Sequence, residues 1–250
     1  MAGTSTFAPR RKSPVLRRMT TKTTPPAENK DIDIGEIYTK TELFFDKNKK
    51  LVTGAVVAVL VVVGGILGYK KFVAEPNAQK AQEMIWKAQY WFEIDSLDLA
   101  INGDGGSYYG FLQVVDQYGS TPAGEAANFY LGVCYQQKGE WETALNYYKE
   151  ADLDDEVLSV MAVGNQGDVL TELGRTDDAI SQFEKAANMV KSEYTTPMFL
   201  MKAGILYRRK NDHKNAAKCF GRVATDFPTS PDAQQAKKYA AYAEAMSSKG

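Results

Sequence analysis

The chain of 250 residues contains one histidine and two cysteines. So few of either excludes a disulfide framework and a cysteine-rich zinc domain. It also leaves Ser-His-Asp, Cys-His and multi-histidine metal chemistry almost nothing to work with. The expectation is a chain that is not an enzyme and holds no cofactor, metal or small-molecule substrate. Net charge is equally scarce. Thirty Lys and Arg against 31 Asp and Glu leave −1, which provides no field for a nucleic-acid partner.

What is present is unevenly distributed. Residues 1–50 carry eleven basic and six acidic side chains, a net of +5, and residues 70–250 carry nineteen and twenty-five, a net of −6. Between them, residues 51–69 read LVTGAVVAVLVVVGGILGY, without one charge. Nineteen helical residues at ~1.5 Å each span roughly 28 Å, close to the hydrocarbon thickness of a bilayer. Lys47, Lys49 and Lys50 bound the run on one side, and Lys70 and Lys71 on the other. Tyr69 and Phe72 stand where interfacial aromatics belong. The expectation is a single transmembrane helix with the basic side cytoplasmic, since eleven basic residues resist translocation. The acidic body then lies across the membrane, which in a Gram-negative bacterium is the periplasm. Gly64 and Gly68 form a G-x-x-x-G pair, read either as a helix-packing face or as the ordinary glycine content of membrane helices.

Upstream, Arg10, Arg11, Lys12, Arg17 and Arg18 occur with no acid among residues 1–18. A transit peptide, an extension before a start at Met19 and a solvated tail are all open readings. The stretch around Pro25 and Pro26 is expected to be disordered. Ile37, Tyr38, Leu43, Phe44 and Phe45 suggest a juxtamembrane helix near 36–47, and residues 70–76 read as a linker.

From residue 77 onward the sequence repeats. Leu131-Gly132, Tyr135, Gly139, Trp141, Ala144, Tyr148 and Ala151 form one copy. Gly167, Leu170, Gly174, Ala179, Phe183 and Ala186 form the next. Ala203-Gly204, Tyr207, Asn211, His213, Ala216, Phe220 and Val223 form a third, ending at Phe227-Pro228. The alanines at 144, 179 and 216 are 35 and 37 residues apart. Small residues at those places let two helices cross closely, aromatics fill the space beside the crossing, and Gly139, Gly174 and Asn211 suit a left-handed residue that ends the first helix. Residues 77–120 read as a degenerate first unit, with the NGDGG stretch as a turn rather than a calcium loop, since alternating carboxylates are missing. The run DAQQAKKYAAYAEAM reads as a C-terminal capping helix.

This spacing resembles the tetratricopeptide repeat. The resemblance implies an all-α helical solenoid of three clear repeats, one degenerate unit and a cap over residues 77–250, with first helices lining a concave protein-binding face. Carried over by position, that face holds Phe129, Val133 and Gln136, then Met161 and Asp168, then Met198, Met201, Ile205, Arg208 and Arg209. Packing against neighbouring helices is the competing reading of the same side chains. The Lys/Asn carboxylate clamp of chaperone-docking members is missing. Cys134 and Cys219 fall two repeats apart, too far for a disulfide, and His213 occupies a turn position that calls for packing.

A cytoplasmic tail, one span and an acidic repeat body together resemble the YfgM-like ancillary subunits of the SecYEG translocon. That resemblance implies an inner-membrane adaptor or co-chaperone binding translocon subunits, periplasmic folding factors or secretory polypeptides. A cell-envelope assembly scaffold of the outer-membrane or cell-division kind is the alternative.

Overall fold

The computed structural model describes residues 47–248. The basic tail and nearly all of the helix expected near 36–47 lie outside the described residues. Among the described residues every regular element is helical. The chain divides into two compact units, Met1–Leu60 and Val61–Gly250, with the boundary inside the first described helix, α1 (Lys49–Tyr69).

Helix α1 buries none of its residues. Leu51, Val61 and Ile66 are more than 60% exposed, and among the described residues a Cβ added at Gly54, Gly64, Gly65 or Gly68 would meet no atom within 4 Å. The helix is long and apolar enough to cross a membrane. Residues 70–76, read as a linker, are helical. Lys70–Ala74 form a π-helical turn in which the Glu75 N–H donates to the Lys70 carbonyl, and α2 (Glu75–Glu93) follows directly. Pro76 brings no N–H, and a one-turn widening before it lets the helix pass the proline.

The remaining helices form hairpins. After α2 come two short helices, α3 (Leu97–Asn102) and α4 (Phe111–Tyr118). Then α5 (Pro122–Gln137) pairs with α6 (Trp141–Glu150), α7 (Glu156–Glu172) with α8 (Thr176–Met189), and α9 (Thr195–Arg209) with α10 (His213–Asp226). Helix α11 (Ala233–Ser247) packs on α10. This order is compatible with a helical solenoid, each hairpin burying its apolar face on the next.

One device closes every hairpin. At the ends of α5, α7 and α9, Gly139, Gly174 and Asn211 take φ of +76°, +71° and +61°. The N–H of the following residue then reaches back: Glu140 to the Tyr135 carbonyl at 2.9 Å, Arg175 to Leu170 at 2.8 Å, Asp212 to Tyr207 at 2.9 Å. These are Schellman stops, which satisfy carbonyls the helix leaves open. Helix α2 ends the same way, with Asp95 at φ +59° and the Ser96 N–H on the Trp91 carbonyl at 2.8 Å. The degenerate unit is therefore a fourth copy. From Asp95 to Gly139 is 44 residues, against 35 from Gly139 to Gly174. The excess is the loop between α3 and α4, which splits the second helix. Its Asp104 carboxylate accepts from the Gly106 and Tyr108 N–H groups at 2.9 and 3.0 Å, and these bonds lower its pKa. The NGDGG stretch is thus a turn held by its own backbone.

Each clear hairpin crosses at a glycine. A Cβ on Gly132, Gly167 or Gly204 would stand 2.6 Å from the ring of Tyr148, Phe183 or Phe220 respectively. Those rings are almost wholly buried, each stabilising the stack by about 1.5–3 kcal/mol. Two cores result, and α5 serves both. Leu131 and Cys134 face α2–α4, while Phe129 faces the later hairpins.

Candidate protein-binding site

The first helices of three successive hairpins, α5, α7 and α9, border a cleft of about 560 Å³ lined by Val133, Gln136, Gln137, Trp141, Tyr148, Asn165, Asp168, Thr171, Glu172 and Lys202. Its floor is a hydrogen-bonded chain. The Tyr148 hydroxyl donates to Gln136 Oε1 at 2.7 Å and accepts from Asn165 Nδ2 at 3.1 Å. Beneath it, Gln166 Nε2 donates to the Tyr148 carbonyl at 3.2 Å. Burial raises the Tyr148 pKa strongly, so the phenol stays a neutral donor. One wall is an ion pair, Lys202 Nζ to both Asp168 oxygens at 2.7 and 2.6 Å. The same ammonium lies 5.5 Å from the Phe183 ring and 5.7 Å from that of Phe199. With Lys202 committed to Asp168, Glu172 is the charge on this lining without an ion-pair partner among the described residues.

The positions expected on this face divide. Val133, Gln136 and Asp168 line the cleft. Phe129 and Met201, at 8% and 7% exposure, are core residues instead, because the hairpins interlock through them. Met161, Met198 and Ile205 are half-buried and pack on that core. Arg208 turns to α11, its guanidinium carbon 4.6 Å from the Tyr239 ring centre. Arg209 is exposed at the end of α9. The cleft that remains is lined largely by polar side chains.

Tyr148, Asn165 and Lys202 escaped the sequence reading. A signal existed for the first, since Tyr148 has a hydroxyl at the position where Phe183 and Phe220 have none. Lys202 follows Asp168 by 34 residues, the register at which neighbouring first helices meet.

Both cysteines are buried. Burial pushes the Cys134 thiol up to about 12 and the Cys219 thiol up to about 11, so neither supplies a thiolate near neutral pH. His213 meets the edge of Tyr242 with ring centres 6.3 Å apart. Among the described residues no group of His, Cys, Asp and Glu could hold a metal ion. A second surface feature lies on α2, where Lys87 Nζ lies 4.4 Å from the Tyr90 ring and 5.4 Å from each of the Trp86 and Tyr108 rings.

Comparison with curated proteins finds no match. Residues 99–247 match the family described as T7SS, ESX-1 secretion system protein EccA1, N-terminal domain. This overturns the assignment to the YfgM-like translocon subunits, which rested on the order of tail, span and body rather than on residues of the repeats. The match covers more than half of the chain, from α3 through α11. The chain belongs to the family of the ESX-1 secretion system protein EccA1 N-terminal domain.

Proposed function

We propose that this protein is a membrane-anchored adaptor of a secretion apparatus, binding a polypeptide partner without chemistry of its own. The polar cleft carries the proposal. Amide side chains of Gln136, Gln137 and Asn165 line a groove shared by three hairpins, and such groups suit the unpaired N–H and C=O groups of an extended chain. Glu172 favours a basic side chain on that partner. The family match supports a role in secretion, and the exposed apolar surface of α1 supports an anchor. The excess of basic residues before α1 supports a cytoplasmic N-terminal side, with the repeats across the membrane.

Filling the cleft tests the reading. Thr171→Trp is expected to weaken capture of secretion-apparatus proteins from solubilised membranes at least about tenfold, the size of a central interface contact. Ser181→Trp, on the exposed side of α8, is expected to leave capture unchanged. Equal capture by both variants defeats the cleft as the binding surface. Protease added outside intact spheroplasts is expected to remove the repeats; protection of the repeats reverses the topology.

A further inference from the structure

A second cleft, of about 360 Å³, opens where the end of α1 and the start of α2 meet the turn between α4 and α5; Tyr69, Lys70, Glu75, Asn77 and Ser120 are on its lining. The volume falls within the ~300–1,000 Å³ of ordinary ligand sites. On the reading that α1 spans a bilayer, which this inference rests on, the apolar run ends at Tyr69 and a hydrocarbon core of ~30 Å ends with it. The cleft then lies in the layer of lipid headgroups. Its surroundings fit that layer. Tyr69, Phe72 and Val73 are 63%, 78% and 42% exposed, a cluster of rings and aliphatic surface that water alone does not favour.

The charges on the lining are one of each sign, Lys70 and Glu75, and neither forms an ion pair among the described residues. A bare anion meets Lys70 but is opposed by Glu75. A headgroup carrying a phosphate and a primary ammonium satisfies both, and the Ser120 hydroxyl and Asn77 amide add neutral donors for the phosphate. We propose that this cleft binds the phosphoethanolamine headgroup of a bilayer phospholipid, with Lys70 on the phosphate and Glu75 on the ammonium. A choline headgroup has no N–H for Glu75, and glycerol has no cation.

The full chain is reconstituted into vesicles of phosphatidylethanolamine, phosphatidylcholine and phosphatidylglycerol with matched acyl chains. Retained lipid is then counted by native mass spectrometry after gentle release. Phosphatidylethanolamine is expected to be retained about tenfold over phosphatidylcholine, the worth of one charge-assisted hydrogen bond. Glu75→Ala removes that preference, Lys70→Gln lowers retention of both, and Lys80→Gln, outside the cleft, changes neither. Equal retention of the two lipids, a preference for phosphatidylglycerol, or a preference that survives Glu75→Ala overturns the assignment. Competition by soluble phosphoethanolamine at the same effective concentration makes the site one for free phosphate esters and overturns the lipid. Co-flotation with the vesicles separates the two levels. A chain that does not float refutes the span and this site with it, whereas one that floats without headgroup preference refutes the site alone.

Discussion

Glycine is used in opposite ways by α1 and by the repeats. In the repeats, Gly132, Gly167 and Gly204 each face an aromatic ring so closely that a single added carbon collides with it. In α1, Gly54, Gly64, Gly65 and Gly68 have no other described residue within 4 Å of an added Cβ. The aliphatic side chains follow the same division, buried in two cores in the repeats and exposed along α1. Small residues in the repeats serve contacts made within this chain. Those in α1 leave a surface that no other described residue covers, and water is a poor solvent for it.

The contrast is sharpest where a ring is removed. Phe183→Ala empties the crossing under Gly167 and is expected to cost about 3–5 kcal/mol in chemical unfolding of the detergent-solubilised chain. Gly167→Val overfills the same crossing and is expected to cost about 1–3 kcal/mol. Gly68→Val, measured alongside, is expected to leave unfolding of the repeats unchanged. A loss there comparable to that at Gly167 breaks the comparison, because it reveals a neighbour for α1.

Smaller effects test the ends and walls of the hairpins. Asp212 Oδ1 accepts from the Asn215 N–H at 3.1 Å as the cap of α10, so Asp212→Ala is expected to cost about 1 kcal/mol. The Asn215 N–H holds this carboxyl below its ordinary 3.8. The contribution is therefore complete above pH 3.8 and fades as pH falls through the lowered value, so the variant and the parent converge in acid. Lys202→Met separates the wall of the cleft from its floor. The pair is about one-third exposed, and its loss is expected to cost about 1 kcal/mol or less, shrinking with salt.

The two thiols give the gentlest test. Both have folded pKa values above the ordinary 9.0. Their contribution is complete below pH 9 and is lost as pH rises towards about 11 for Cys219 and about 12 for Cys134. The double substitution Cys134→Ala and Cys219→Ala is expected to flatten the fall of melting temperature between pH 9 and 11. An unchanged slope places the alkaline loss elsewhere.

Spacing in the chain was enough to read the hairpins. Gly132, Gly139, Ala144 and Tyr148 stand in a local register, and a helix of fixed pitch turns that register into a crossing and a stop. The stop of the first unit was less legible because Asp95 takes the left-handed conformation that glycine takes at 139 and 174. Aspartate tolerates that conformation, but no aligned repeat spacing pointed to Asp95 as it did to Asn211. The continuous helix through Lys70–Ala74 was hidden for a similar reason, since Pro76 reads as a break unless a π turn precedes it.

The binding face depended on facts that no single helix contains. Phe129 shares a helical stripe with Val133 and Gln136, and only the seating of one hairpin on the next turns it inward. Lys202 becomes a wall because Asp168 arrives beside it from another hairpin. Apolar periodicity, charge segregation and helix stops are local properties, and the sequence by itself determined them. Which side chains remain open to a partner is decided by long-range packing, and that was settled only by the tertiary structure.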